Sequence, residues 1–427
     1  MSRPEVKLEQ SAGARAEPAA RAAGFADGSP APDRRLRHVA ARFAAHATAD
    51  PGRAAVLVAR GRRLERTSYG ELMTLAARAA AGLLQHGLRP GQRVSLFVRP
   101  GPELIALTYA LLALGAVPVL IDPGMGRRGL LRAVQRSAPE VLIGVRRALL
   151  AARLFPRAFE SVRLRICAEG WFPGAVSLER LCAQPSEQLA IEPRAESDPA
   201  AVLFTSGSTG PAKGVLATHG ILWAQVEQLE ALYGLGPGEV DLCCLPLFAL
   251  FDTALGGTSV FPELDPSRPA RCRPQDIRFA IEASGASLAF GSPAIWQRVL
   301  PALERRGQRL PSLRRVLIAG APVPLELIER LRPRLAPDGE VHTPYGATEC
   351  LPVSSISGAE LLEPARAARN RSGAGNCIGR PAPRVEARVI ALQDGPLERL
   401  EQARELPCGE RGELIVTGPT VTPLYIE

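Results

Sequence analysis

At 427 residues the chain exceeds the usual size of one domain, so two or more subdomains are expected. Hydrophobic residues at 46% and charged residues at 22% describe a globular protein with apolar material for a large core. The net charge is +9, but Lys7 and Lys213 are the only lysines, the arginines are scattered and aromatics are 5%, which argues against a nucleic-acid surface and its stacking platforms.

The eight cysteines show no C-x-x-C spacing, and the five histidines have no metal-ligand spacing. Buried free thiols in a reducing cytoplasm, without a zinc site, are the expectation. No apolar segment follows Met1. The uncharged run from Leu104 to Ile121 has the length of a membrane span, but Gly115 and Pro118 interrupt it. It reads as a buried helix over 102–114 and a short strand over 117–121, with no transmembrane span.

In chain order, residues 1–35 lack a hydrophobic period and read as a disordered tail. Helical spacing covers 36–46, and 54–59 with 62–67 predicts a hairpin. Ser68 has the position of an N-cap, with Glu71 completing a capping box, for a helix over 69–86. Strands at 93–98, 117–121 and 141–145 then alternate with helices at 102–114 and 130–137. The rhythm resumes with a strand at 201–204, a helix at 219–233, a strand at 240–245 and a helix at 275–284. A strand at 288–290, a helix at 292–305, a strand at 316–319, a helix at 325–335 and a strand at 340–343 follow. This is the βαβ pattern of a parallel sheet. After about Pro381 the pattern turns to alternation at 384–392 and 412–417, which predicts a small β subdomain over 381–427 beside an α/β core over 36–380.

Thr205, Ser206, Gly207, Ser208, Thr209 and Gly210 follow the 201–204 strand, and Lys213 and Gly214 close the stretch. Glycine lets main-chain N–H groups approach an anion, and the hydroxyls and Lys213 add donors and charge. The spacing is not that of a P-loop, because Ala212 and Gly214 stand where that pattern needs Gly and Ser/Thr. Composition alone is equally compatible with a surface loop. Gly320, Ala321 and Pro322 follow another predicted strand, and Tyr345, Gly346, Thr348 and Glu349 follow the next. Ligands of open parallel sheets bind beyond the carboxyl ends of strands. A flat ring, a hydroxyl and a carboxylate there suit a base, a phosphate and Mg²⁺.

Together these stretches resemble the adenylate-forming superfamily of acyl-CoA synthetases, luciferases and peptide-synthetase adenylation domains. The resemblance rests on TSGSTGPAKG over 205–214, YGATE over 345–349 and GELIVTGP over 412–419. It implies an α/β fold: the large N-terminal domain, with two parallel-rich subdomains and a small β subdomain. It also implies attack of a fatty carboxylate on the α-phosphate of ATP, giving an acyl-adenylate and pyrophosphate. The 205–214 loop, including Lys213 in a supporting catalytic role, would hold phosphates. Gly320, Ala321, Pro322, Tyr345 and Gly346 would line the adenine, Thr348 would bond the α-phosphate, and Glu349 would hold Mg²⁺. Members of this family continue into a ribose-binding Asp, a hinge and a small C-terminal domain with a catalytic Lys. These have no counterpart up to Glu427, so the small domain is expected to be absent.

Residues 121–126, 245–256 and 262–270, with Ala249 where many members have His, look like the branch that makes β-lactones in olefin biosynthesis. That branch implies a 2-alkyl-3-hydroxy fatty acid substrate and companion enzymes of the olefin pathway. Trp223, Phe248, Ala249, Leu250, Phe251, Phe290, Gly291 and Trp296 are the expected alkyl pocket, although each could equally be core. A fatty acyl-CoA or acyl-AMP ligase, and an inactive nucleotide- or lipid-binding scaffold, remain the alternative readings.

Overall fold

The computed structural model describes residues 37–426, except 205–212, 394, 396 and 398. The expected tail, and Thr205, Ser206, Gly207, Ser208, Thr209 and Gly210, lie outside the described residues.

Two large sheets carry the fold. One has seven strands, in the order Glu340–His342, Arg315–Ile318, Leu288–Gly291, Val240–Cys243, Thr258–Phe261, Ala54–Arg60 and Arg63–Ser68. All its pairs are parallel except the hairpin between the last two. The other has eight strands, in the order Tyr425–Ile426, Gly214–Thr218, Pro199–Phe204, Val117–Ile121, Arg93–Phe97, Val141–Gly144, Leu164–Cys167 and Val176–Ser177. Its first two pairs are antiparallel and the rest parallel. Glu386–Ile390 and Glu413–Thr417 form a separate antiparallel pair. The expected α/β architecture with two parallel-rich units is therefore present.

The strand period of two sorts side chains between layers. In the eight-stranded sheet Val117, Val119, Val202 and Phe204 enter one core, with helices Gly126–Ser137 and Arg146–Leu154. In the seven-stranded sheet Ala289, Val316 and Ile318 enter another, with helices Pro274–Ser284, Pro293–Arg305 and Leu325–Leu331. A third core joins the two sheets through Val39–Ala49, Tyr69–Gln85, Pro102–Ala113, His219–Tyr233 and Ala249–Ala254.

Local signals explain most boundaries. The Ser68 hydroxyl accepts from the Glu71 N–H at 3.2 Å, while the Glu71 carboxylate accepts from the Ser68 N–H at 2.7 Å. This is the expected capping box, a contribution of about 1 kcal/mol. The expected 325–335 helix ends at Leu331 and continues as a 3₁₀ turn over Arg332–Arg334, because Pro333 has no N–H for an α-helical bond. Sequence reading missed several elements, among them the strands Leu164–Cys167, Gly214–Thr218, Thr258–Phe261, Cys350–Ser355 and Tyr425–Ile426 and the helix Arg146–Leu154. Expected thiol burial holds for five of the eight cysteines; Cys182 and Cys377 are half-buried and Cys408 is exposed.

His38 and His219 lie with ring centroids 4.5 Å apart where the first helix meets His219–Tyr233. The His38 ring bonds the Leu112 carbonyl at 3.0 Å, and His219 Nε2 has no hydrogen-bond partner among the described residues. Burial holds both imidazoles neutral, at about 4 for His38 and about 3 for His219. Their unfolded values are near 6.5, so the unfolded chain binds more protons between those limits. Their stabilising effect is complete above about pH 6.5 and is lost as pH falls toward 4.

In denaturant titrations, His219→Phe should show a smaller loss of stability from pH 7 to pH 5 than the parent chain. An equal loss would place the acid-sensitive groups elsewhere. At Gly82, alanine would gain about 1 kcal/mol of helix propensity. Its Cβ, however, would collide with the Leu181 carbonyl oxygen. Collision with fixed backbone outweighs propensity, so Gly82→Ala should lower the thermal midpoint by several degrees.

Candidate active site

Residues of the 320 and 345–349 stretches and part of the expected pocket line one cavity of about 740 Å³ between the two sheets. Its volume is that of a small-molecule site. Gly320, Gly346, Thr348 and Glu349 line one part of it; Phe248, Leu250, Phe251 and Phe290 line another. Phe248 stacks on Phe290 at 4.0 Å between centroids and meets Phe251 edge-on at 5.7 Å.

The opposite wall was not foreseen. Leu104, Thr108 and Leu112 line the cavity from one face of the helix Pro102–Ala113, at a spacing of four. Pro118 and Leu120, with Ala201 and Leu203, line it from alternate positions of two strands. Their neighbours Val117, Val119, Val202 and Phe204 enter the core behind. The same parity directs Phe290 and Ala319 into the cavity, while Ala289 and Ile318 point away. Strand parity was thus an available signal, but only once the sheet faces were known.

Four expected pocket residues stand outside this lining. Gly291 follows the parity of Ala289, and a Cβ there would meet Cys244, Ile295 and Trp296. Trp296 is buried in the core behind the seven-stranded sheet. Ala249 is fully buried in the inter-sheet core. The Trp223 indole N–H donates to Glu227 at 2.8 Å, and Arg42 lies 5.5 Å from its ring centroid. Tyr345 packs on the small cluster of Cys350, Val353, Ala382 and Val385, and Ala321 and Pro322 are exposed beside the lining. Gly320 adopts φ +88°, which a side chain would strain, and a Cβ there would meet open space.

A late segment connects the motifs. The Thr422 N–H donates to the Glu349 carbonyl at 2.7 Å, and its hydroxyl donates to the Leu216 carbonyl at 2.6 Å. The Tyr425 hydroxyl donates to Glu349 Oε1 at 2.9 Å. Lys213 Nζ lies 4.9 Å from the Tyr425 ring centroid, a cation–π contact. Tyr425 therefore bridges Glu349, the one acidic residue of the cavity lining among the described residues, and the lysine of the glycine stretch.

Asp241, Cys243 and Asp252 form the one cluster of candidate metal-ligand atoms within 4.8 Å of each other among the described residues. Burial raises Asp252 to about 7 and Asp241 well above the usual carboxyl range. The Ser259 hydroxyl donates to Asp252 at 2.8 Å, and the Cys243 thiol donates to the Leu245 carbonyl at 3.1 Å.

Tyr425→Phe should keep the fold, since the ring is partly exposed, and weaken Mg²⁺–nucleotide affinity about tenfold, the value of one charge-assisted hydrogen bond. Calorimetric titration measures this. Unchanged affinity would show that the hydroxyl does not orient Glu349.

A family model described as AMP-binding enzyme matches residues 43–426. The olefin beta-lactone synthetase of Stenotrophomonas maltophilia (strain K279a) is 43% identical over 360 residues, covering 84% of this chain. A protein of the same name from Xanthomonas campestris pv. campestris is 42% identical over 361 residues, also covering 84% of this chain. The chain spans 64% of the length of each of these relatives. A crystal structure of a long-chain-fatty-acid-CoA ligase from Archaeoglobus fulgidus superposes with a TM-score of 0.75 at 22% identity, covering 91% of this chain and 76% of that one. That likeness concerns the fold: the N-terminal domain of the adenylate-forming enzymes. With its residues 43–426 matched, the chain belongs to the AMP-binding enzyme family.

Proposed function

We propose that the chain activates a 2-alkyl-3-hydroxy fatty acid with ATP and closes it to a β-lactone. The observation that carries this reading is the continuity of the cavity. Its Thr348–Glu349 mouth opens into walls of Leu104, Leu112, Leu120, Leu203, Phe248 and Phe251. An alkyl chain gains about 0.8 kcal/mol for each buried CH₂. Likeness to the two lactone synthetases supports the cyclisation.

In the first step a carboxylate oxygen forms a bond to the α-phosphorus of ATP, and the bond to the pyrophosphate oxygen breaks. Thr348 would bond the α-phosphate from the lining. The open backbone at Gly320 suits close approach of the nucleotide, with Ala321, Pro322, Tyr345 and Gly346 around it. The Thr205–Gly210 stretch and Lys213 would bind the departing phosphates. Glu349 fits a Mg²⁺ ligand: Tyr425 occupies Oε1, and Oε2 has no protein partner among the described residues. One carboxylate completed by phosphate oxygens and water is a usual Mg²⁺ environment. The ion would neutralise charge developing on the phosphates.

The proposal extends to a cytoplasmic location and to companion enzymes that supply the acid and consume the lactone. The former rests on eight unbridged cysteines and the latter on resemblance alone. No helix among the described residues is long and apolar enough to cross a membrane.

Incubation with ATP, Mg²⁺ and the acid should release AMP and pyrophosphate and form lactone, identified by mass spectrometry. A CoA thioester formed in its place would replace the reading with that of an acyl-CoA ligase. Glu349→Gln should slow Mg²⁺-dependent pyrophosphate release about 100-fold or more while leaving nucleotide binding in EDTA unchanged. Retained turnover would remove Glu349 from the metal site.

A further inference from the structure

We infer that Gln225 receives the 3-hydroxyl of the substrate and so selects hydroxy acids over plain fatty acids; this inference rests on the function proposed above. Gln225 lies on the helix His219–Tyr233 and lines the cavity within an otherwise largely apolar wall. Its side-chain N–H donates to the Leu351 carbonyl at 3.1 Å. A carbonyl only accepts, so this bond fixes the amide with nitrogen toward Leu351. Oε1 is left without a hydrogen-bond donor among the described residues. Thr108, another polar side chain of the lining, already donates its hydroxyl to the Leu104 carbonyl at 2.7 Å.

Position makes this free acceptor specific. Leu351 lies two residues beyond Glu349 and also borders the aromatic wall, so the amide is anchored between the Thr348–Glu349 mouth and the apolar part of the cavity. A 3-hydroxyl stands two carbons from the carboxyl carbon and has to be met close to that centre. Gln225 also lines a neighbouring side pocket of about 20 Å³, together with Phe248, Phe251 and Phe290. The amide therefore sits at a branch point beside aromatic surface, where a substrate with two alkyl arms divides.

The step balances without an added reagent. The 3-hydroxyl oxygen forms a bond to the acyl carbon of the adenylate, and the bond from that carbon to the phosphate oxygen breaks. The hydroxyl proton passes to the departing phosphate of AMP. The amide carbonyl takes no proton. It holds the hydroxyl in a conformation from which attack is intramolecular, where effective concentration is large. A plain fatty acid that fills the cavity shuts water away from this carbonyl and offers it no donor, which is the basis of strong discrimination against an analogue lacking a hydroxyl.

The test is binding to the full chain in the presence of Mg²⁺ and a non-hydrolysable ATP analogue, measured by calorimetry. The probes are a 2-alkyl-3-hydroxy acid, its 3-deoxy analogue and its 3-fluoro analogue. The parent chain should prefer the hydroxy acid by about tenfold or more over both analogues, since fluorine keeps the size and removes the donor. In Gln225→Met that preference should fall to within about twofold, with affinity for the 3-deoxy acid retained as the control for an intact cavity. Equal binding of hydroxy and fluoro acids by the parent chain overturns the inference and does not depend on the variant folding. Full preference retained in Gln225→Met overturns it while leaving the lactone reading standing. A parent chain that binds none of the acids defeats both.

Discussion

One helix sets the constraint from which the site follows. Pro102–Ala113 is buried without interruption from Leu104 to Ala113, so it has no face for water and must be enclosed on every side. Helices Tyr69–Gln85 and Ala249–Ala254 and the two sheets provide that enclosure. The Tyr109 hydroxyl donates to the Leu250 carbonyl at 2.8 Å and lies 2.8 Å from the Thr253 hydroxyl. The face bearing Leu104, Thr108 and Leu112 remains for the cavity. A residue whose partners are missing on one side loses dispersion contacts there. The enclosed alkyl chain of a substrate would restore them.

Chemistry and recognition are divided between elements far apart in sequence. The polar mouth comes from Gly320, after the parallel strand Arg315–Ile318 of the seven-stranded sheet, and from Thr348 and Glu349, in the turn of the antiparallel hairpin formed by Tyr345–Ala347 and Cys350–Ser355. The apolar wall comes from the eight-stranded sheet and the helices between. The 420–426 segment reaches both, through Glu349 on one side and Leu216 on the other. Movement of either sheet relative to the other would therefore reach the polar mouth and the apolar wall together.

Most of the fold was legible because its signals are local. Ser68 and Glu71, the glycine after Tyr233 and the breaks at Gly115 and Pro118 each mark a boundary by their own chemistry. The short strands Thr258–Phe261 and Tyr425–Ile426 escaped because their pairing partners, not their composition, make them strands. Of the cavity lining, Phe248, Leu250, Phe251, Phe290, Gly320, Gly346, Thr348 and Glu349 are singled out in the sequence by motif and apolar character. Trp296 and Gly291 were assigned to the pocket by apolar character, which does not say which face of a sheet a residue occupies. Gln225 and Tyr425 gave no signal, because their roles come from a carbonyl and a carboxylate more than 70 positions away in the chain.

The order of strands in the seven-stranded sheet has a consequence for how the chain matures. Val56 pairs with Ser259, and the intervening sequence supplies most of the eight-stranded sheet. During synthesis the hairpin at 54–68 emerges early and has no parallel neighbour until Thr258–Phe261 has followed. Such non-local pairing gives a high contact order and slow closure. Meanwhile the strand Ala54–Arg60 presents an open edge, of the kind that invites wrong partners. The hairpin partner Arg63–Ser68, with its alternating Arg63, Glu65 and Arg66, covers one side of that edge with charge. The other side is covered once Thr258–Phe261 pairs with it, after the inserted strands from Arg93 to Thr218 have been synthesised.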